Sequence, residues 1–245
     1  MTRFFVRPDQ IVHDFVLLDA DDAHHLRTVL HAQAGDRLAV LDGSGREWPA
    51  TLTEIGKTKA VAQLGEPVLL GTESSIRITI AQALPKMAEK LEQVLQRGTE
   101  IGASAFWAFE SERSLTQLTG ERQDKRKVRW EAIVKTAAEQ AHRAKQPTLK
   151  IAGSFTDVLR EAKDFDLALL ADMGEEVPPL RAVLEQNPGP KSILLLVGPE
   201  SGLSLKEVQS ARKAGVQSIS LGPRTLRTET AAMVLTAQLL YALPG

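Results

Sequence analysis

Two stretches of this chain combine glycine, proline and charged side chains in a way that suits ligand binding. In the first, the apolar run 194–197 is followed by Gly198, Pro199, Glu200, Ser201 and Gly202. Glycines on either side of a rigid proline let backbone N–H and C=O groups approach a bound molecule closely. In the second, residues 219–221 lead into Gly222, Pro223, Arg224, Thr225, Leu226, Arg227, Thr228 and Glu229 before a helical pattern begins. A Gly-Pro pair met singly is ordinary turn punctuation. Two such loops at successive strand ends point to a site, because ligands in open α/β sheets sit beyond the carboxyl ends of the strands. Other chemistries find little support. No G-x-G-x-x-G follows an apolar run and no G-x-x-x-x-G-K-[ST] occurs, which removes the main argument for dinucleotide and P-loop sites. With no cysteine in the chain, sulfur nucleophiles, disulfide frameworks and thiolate metal sites are excluded. The histidines at 13, 24, 25, 31 and 142 include no H-x-x-x-H or H-E-x-x-H pair, so no metal is expected.

The elements that must hold these loops follow from periodicity. Strands at 76–84, 105–109, 166–171, 192–197 and 217–221 are apolar runs of the kind found in a sheet covered on both faces. Between them a helix fits 86–101, with Met87, Leu91, Val94, Leu95 and Ile101 on one face at the 3.6-residue period. A basic helix fits 123–143. Ser204 and Glu207 form a capping-box pattern that opens another helix, which Gly215 closes. An alanine-rich helix over 229–243 ends the pattern. This alternation predicts an α/β domain with a largely parallel sheet. Residues 1–72 read differently: short apolar runs at 4–6, 15–18, 38–41 and 60–64 alternate with turn-forming groups, at the spacing of strands in a small β-barrel, with a short helix over 20–33. Residues 66–75, with Pro67 and Gly71, read as a linker. The expected division is therefore 1–72 and 73–245.

Composition bounds the rest. A chain of 245 residues with 43% hydrophobic and 25% charged residues is in the globular range. The first fifteen residues are broken by charges and Pro8, so they supply neither a signal peptide nor a membrane span, and a cytoplasmic protein without a membrane partner is expected. The net charge of -1 advertises no polyanion. Local balance does: residues 113–150 hold ten basic and four acidic side chains, a net of +6, whereas 151–190 hold three and eight, a net of -5. Such segregation fits either a polyanion-facing surface or a solvated helix face.

Gly198, Pro199, Glu200 and Gly202 with Leu203, and the block from Leu221 through Glu229 to Ala231, resemble the second and third signature loops of the ribosomal RNA small subunit methyltransferase E family, which belongs to the SPOUT class. The likeness runs along nearly the whole chain: His24, His25, Leu26 and Arg27 with Val29 and Leu30; Gly35-Asp36 and Asp42-Gly43; Glu100 to Gly102; Ser111 to Ser114; Trp130 and Ile133; Ala138, Glu139 and Gln140 with Arg143 and Pro147. Three positions depart from it. Ser201 replaces the glycine usual after Pro-Glu, Arg97 stands where a lysine is common, and His31 replaces an arginine, removing a permanent charge.

The resemblance implies a PUA-like N-terminal β-barrel and a C-terminal SPOUT α/β domain with a deep trefoil knot, S-adenosylmethionine as cofactor, a homodimer, and methylation of N3 of a uridine in 16S ribosomal RNA, free or in the small subunit. Gly198, Leu221, Gly222 and Pro223 would contact adenine and ribose through their backbones, with Glu200 and Gly202 in the same loops and Leu170, Leu196 and Leu226 as apolar walls. Methylating a ring nitrogen needs only proton removal and in-line positioning of the donor, which suits a chain without cysteine. Arg113, Arg143 and Arg227, with Arg3, Arg7 and Arg27 from the first domain, are candidates for gripping RNA. Glu139 and Arg143, four apart, share a helix face and are candidates for base and anion stabiliser; Glu229 is the rival base, or else serves the helix N-terminus. The final helix, with Ala231, Val234, Leu235, Leu239 and Ala242 on one face, is the candidate dimer interface unless that face covers the sheet. A SPOUT enzyme acting at another RNA position and a non-catalytic RNA-binding protein remain as alternatives.

Overall fold

The computed structural model describes residues 1–115, 118–174 and 176–243. The chain packs as two compact units, one formed by Met1–Glu73 with Ala138–Gln146, the other by Ser74–Ala137 with Pro147–Gly245.

The first unit is built on a mixed seven-stranded sheet, with a single turn of 3-10 helix at Pro8–Gln10 and one complete α-helix. Its strands are β1 (Thr2–Phe5), β2 (Ile11–Val12), β3 (Phe15–Leu18), β4 (Arg37–Leu41), β5 (Arg46–Ile55), β6 (Ala60–Leu64) and β7 (Val68–Leu69). They lie in the order β1-β4-β5-β6-β3-β2, with β7 against β5; only β1 and β4 run parallel. Alternate residues turn inward, so Val16, Leu18, Leu38, Val40, Ala50, Leu52, Ala60 and Ala62 form one apolar cluster. Helix α1 (Ala20–Thr28) closes that cluster with Ala23 and Leu26; the Asp19 carboxylate caps it by accepting from the amides of Asp21 and Asp22. The helix stops at Thr28 rather than 33, and the chain leaves through His31 at φ 50°. Within the expected linker, β7 pairs with Arg46 and Glu47 of β5. That pairing rests on the backbone, since Val68 and Leu69 are both exposed.

In the second unit six strands, β8 (Arg77–Ala83), β9 (Ala105–Glu110), β10 (Thr148–Ser154), β11 (Leu167–Ala171), β12 (Ser192–Val197) and β13 (Gln217–Ile219), form an all-parallel sheet ordered β10-β9-β8-β12-β11-β13. Period-2 alternation sorts its side chains to two covered faces. Ile78, Ile80, Phe106, Leu169, Ile193 and Leu195 pack under α2 (Ala88–Ile101), α3 (Glu121–Gln140), α5 (Leu180–Gln186) and α7 (Thr228–Ala242). Ala81, Phe109, Leu170, Leu194 and Leu196 pack under α4 (Phe155–Ala162) and α6 (Leu205–Lys213). Gly98 lets α2 approach the sheet: a Cβ there would lie 2.7 Å from the Phe106 ring and 3.1 Å from Ile80. The capping box of α6 forms as its sequence predicts, with the Ser204 hydroxyl accepting from the Glu207 amide.

Two expectations change here. The basic helix ends at Gln140, and His142 turns the chain at φ 56°, so Arg143 lies beyond the helix and shares no helical face with Glu139. In α7, Ala231, Leu235 and Leu239 are buried in the chain's own core, so most of the face read as an interface covers the sheet.

Candidate active site

The carboxyl ends of β11, β12 and β13 open into a cleft of about 290 Å³. Its walls come from four segments: Lys90 of α2; Ala171 to Met173 after β11; Val197 to Glu200 with Gly202 and Leu203 after β12; and Leu221, Gly222 and Arg224 to Thr228 after β13, with Ala231 behind them. Of the residues expected at a cofactor, Gly198, Glu200, Gly202, Leu221, Gly222 and Leu226 are brought together here, and Arg227 stands with them. Leu170 and Leu196 are placed otherwise: at 1% and 0% exposure their side chains are locked in the layer beneath α4 and α6. Pro223 is exposed beside the cleft. Sequence reasoning passed over Lys90, Asp172 and Met173, which carry no motif and reach the cleft only through folding, and gave Arg224 and Thr228, although they lie in the third loop, no role of their own.

The second loop is shaped by close backbone approach. A Cβ on Gly198 would meet the amide nitrogen of Leu203 at 3.1 Å and the carbonyl carbon of Gly202 at 3.2 Å. The loop turns through a hydrogen bond from the Gly202 amide to the Pro199 carbonyl, with Gly202 at φ 68°. Ser201 has no positive φ, so the departure from glycine there leaves the turn unstrained. Neighbouring segments hold this loop. The Arg113 guanidinium donates to the Ser201 carbonyl at 2.7 Å. Glu200 accepts from the Lys86 amide and pairs with the Lys90 ammonium at 2.9 Å. Burial pushes the Glu200 carboxyl up, but the Lys90 hydrogen bond and backbone amides outweigh it and hold the group below the ordinary glutamate range. The Ser114 hydroxyl donates to the Leu84 carbonyl, which fastens the 111–114 turn to the end of β8. The third loop leaves β13 through Gly222 at φ 97°, and Arg227 occupies the position just before the first residue of α7.

The remaining candidates lie elsewhere. Glu229, in the first turn of α7, is 6% exposed, and its Oε2 meets no hydrogen-bond partner among the described residues. It is not a lining residue of the cleft. Glu139 and Arg143 belong to the first unit, whose second segment is Ala138–Gln146. There the Glu139 carboxylate accepts from the Phe5 amide at 2.9 Å, and the buried Arg143 guanidinium pairs with Glu73. Burial raises the Glu73 carboxyl, but Arg143 and the amides of Lys145 and Ala144 more than reverse this and leave it below its ordinary value. Arg3 pairs with Glu47 at 2.6 Å; Arg7 and Arg27 are exposed.

The cleft fits S-adenosylmethionine. Val197, Leu203, Leu221 and Leu226 offer apolar surface to a flat base. The glycine-lined loops expose backbone polar groups, and side chains of both charges, Lys90, Arg224, Asp172 and Glu200, suit an amino-acid moiety carrying both. Among the described residues no group of three or more His, Asp or Glu side chains is placed to hold a metal.

Two family models match the chain: an RNA methyltransferase domain over residues 72–240 and an RNA methyltransferase PUA domain over residues 18–65. The chain is 37% identical to ribosomal RNA small subunit methyltransferase E of a Synechocystis species, over 97% of this chain and 76% of the relative. Its identity to the protein of that name from Bacillus subtilis is 32%, over 91% and 89%. The crystal structure of ribosomal RNA small subunit methyltransferase E from Neisseria gonorrhoeae, bound to S-adenosyl methionine, superimposes with a TM-score of 0.90 at 30% identity, covering 99% of this chain and 98% of that one.

Proposed function

The chain belongs to the ribosomal RNA small subunit methyltransferase E family, and with that as premise we propose that it methylates N3 of a uridine in 16S ribosomal RNA, using S-adenosylmethionine held in the cleft beyond β11, β12 and β13. The observation that carries this reading is the convergence of the 198–203 and 221–228 loops on one cleft with apolar walls and charges of both signs. Bound there, the cofactor supplies an electrophilic methyl group. The chain supplies position: Gly198, Gly202 and Gly222 present backbone, Leu203, Leu221 and Leu226 enclose a base, and Lys90 with Glu200 marks the charged end. Arg224 and Arg227, exposed at the cleft, are set to meet a phosphate or the anion left when uracil loses its N3 proton.

The proton acceptor in this proposal is a carboxylate; Glu139 and Glu229 are the two candidates, although neither lines the cleft. Glutamine substitutions separate them. Glu139→Gln keeps an acceptor for the Phe5 amide, so it should preserve the fold while slowing transfer, with partial recovery at higher pH as uracil ionises unaided. Normal turnover by Glu139→Gln and loss in Glu229→Gln would move the base to α7.

The proposal also includes a deep trefoil knot in the second unit, action in the cytoplasm, and a homodimer. An apolar groove of about 660 Å³, lined in part by Leu180, Leu184, Tyr241 and Leu243, adjoins the cleft through Leu221 and Gly222 and supports pairing with a second copy. Light scattering at the monomer mass across micromolar concentrations would remove the dimer. Nucleoside mass spectrometry of ribosomal RNA from cells lacking this protein tests the activity: one 3-methyluridine should disappear from the small-subunit RNA, and an unchanged spectrum would overturn the reading.

A further inference from the structure

We propose that Gln82 is a positioning residue of the cleft: acting through the Thr228 hydroxyl, its amide fixes the Gly198 carbonyl and so sets the second loop against the first turn of α7. The inference rests on the reading that this cleft holds S-adenosylmethionine.

β8 lies between β9 and β12 in the sheet, and every residue from Ile78 to Ala83 is buried. Position 82 should be apolar by that logic, yet it carries an amide at 1% exposure. The Gln82 Nε2 lies within reach of four acceptors: Thr228 Oγ1 at 2.8 Å, the Ala83 carbonyl at 3.0 Å, the Gly198 carbonyl at 3.2 Å and the Val197 carbonyl at 3.4 Å. These acceptors come from the end of β8, the exit of β12 and the start of α7. Thr228 Oγ1 in turn stands 2.6 Å from the Gly198 carbonyl. A carbonyl cannot donate, so the hydroxyl proton lies on that bond, and the hydroxyl meets Gln82 as an acceptor. The chain of bonds therefore has one direction, from amide to hydroxyl to carbonyl.

Its far end matters most. Pro199 has no N–H, so the Gly198 carbonyl is the one hydrogen-bonding group of the 198–199 peptide. Fixing that carbonyl fixes the peptide plane at the point where the loop begins. Because Gly198 is packed against the backbone of Gly202 and Leu203, its orientation passes directly to those lining residues. Thr228 is itself a lining residue, so the relay joins two walls of the cleft.

The amide also bears a cost. Gln82 Oε1 is buried and meets no donor among the described residues. Turning the amide over would set that oxygen against three carbonyls. An apolar side chain of equal length would remove the penalty, so what the amide contributes is its donor.

The test uses the full chain and compares Gln82→Met and Thr228→Val, singly and together, by calorimetry with S-adenosylmethionine and by methyl-transfer kinetics on small-subunit RNA. Each single variant should raise Kd and KM for the cofactor by about tenfold, with a smaller change in kcat, the scale of one lost hydrogen bond. The double should lose no more than the worse single, since both break one relay. Thr228→Ser, which keeps the hydroxyl, should lose less than Thr228→Val, and that comparison decides the matter if Gln82→Met does not fold. Thr236→Val serves as a control: it removes a buried hydroxyl bonded to the Ala232 carbonyl in the same helix, and should lower Tm without changing Kd. Cofactor binding by Gln82→Met within about twofold of wild type, or fully additive losses in the double, would overturn the inference and leave the cofactor reading intact. No binding by the wild-type chain would overturn both.

Discussion

Replacing Gly198 by alanine perturbs the cleft at a point where the consequence can be worked out from distances. The added Cβ would lie 3.1 Å from the Leu203 nitrogen, 3.2 Å from the Gly202 carbonyl carbon and 3.3 Å from the Gly202 Cα. Comfortable contact between heavy atoms starts at about 3.5 Å, so the loop must open by a few tenths of an ångström. The atoms in the way are backbone and cannot rotate aside. Gly198 is not among the positive-φ glycines, so alanine brings no dihedral penalty and the effect is steric alone. Overpacking of this kind costs about 1–3 kcal/mol. Relief displaces Gly202 and Leu203, which line the cleft, so cofactor affinity should fall about tenfold or more, a loss of at least about 1.4 kcal/mol. Calorimetry with S-adenosylmethionine measures this directly, with thermal unfolding as a check on the fold. Gly215→Ala is the comparison. Gly215 sits just past α6 at φ 85° with open space around it, so alanine there should lower Tm through backbone strain and leave binding alone. Wild-type affinity in Gly198→Ala would refute the argument that loop closure shapes the cleft.

Gly98→Ala should destabilise the second unit although alanine favours helix by about 0.8–1 kcal/mol, because the new Cβ would sit 2.7 Å from the ring of Phe106, which is itself buried; a Tm at or above wild type would show that the ring yields. Glu73 contributes stability that is present above the unfolded glutamate value of about 4.3 and is lost as pH falls through its lowered folded value. Wild type should therefore lose Tm more steeply below that pH than Glu73→Gln, and parallel curves would contradict the assignment. RNA affinity should fall linearly in log–log form with salt, and Arg227→Ala should flatten the slope by about 0.7–0.9 if that guanidinium meets a phosphate; an unchanged slope would exclude the contact.

Much of the second unit was legible because its strands are continuous apolar runs and its α6 cap is a local signal that tertiary packing left intact. What escaped notice lacked such signals. β10 is an edge strand whose residues are mostly exposed or half-buried, and α4 and α5 are short, of 8 and 7 residues. β5, the longest strand of the first unit, alternates polar and apolar residues and contains Pro49, which argues against a strand interior. The two loops were visible because glycine and proline announce their conformation. Lys90, Asp172 and Gln82 were not, because a lysine on a helix or an amide in an apolar strand acquires its role only from segments far away in sequence. Leu170 and Leu196 were misplaced for a related reason: strand periodicity shows that successive residues face opposite ways, but which face meets the cleft depends on the helices above and below.

The most direct test of the central claim is reconstitution. The purified chain would be given S-adenosylmethionine with a labelled methyl group and small-subunit ribosomal RNA, free and assembled, from cells lacking the protein, followed by nucleoside mass spectrometry. The account predicts label in 3-methyluridine at a single position, lost when Gly198 or Arg227 is replaced. Label in another nucleoside, or none with either form of the RNA, would contradict it.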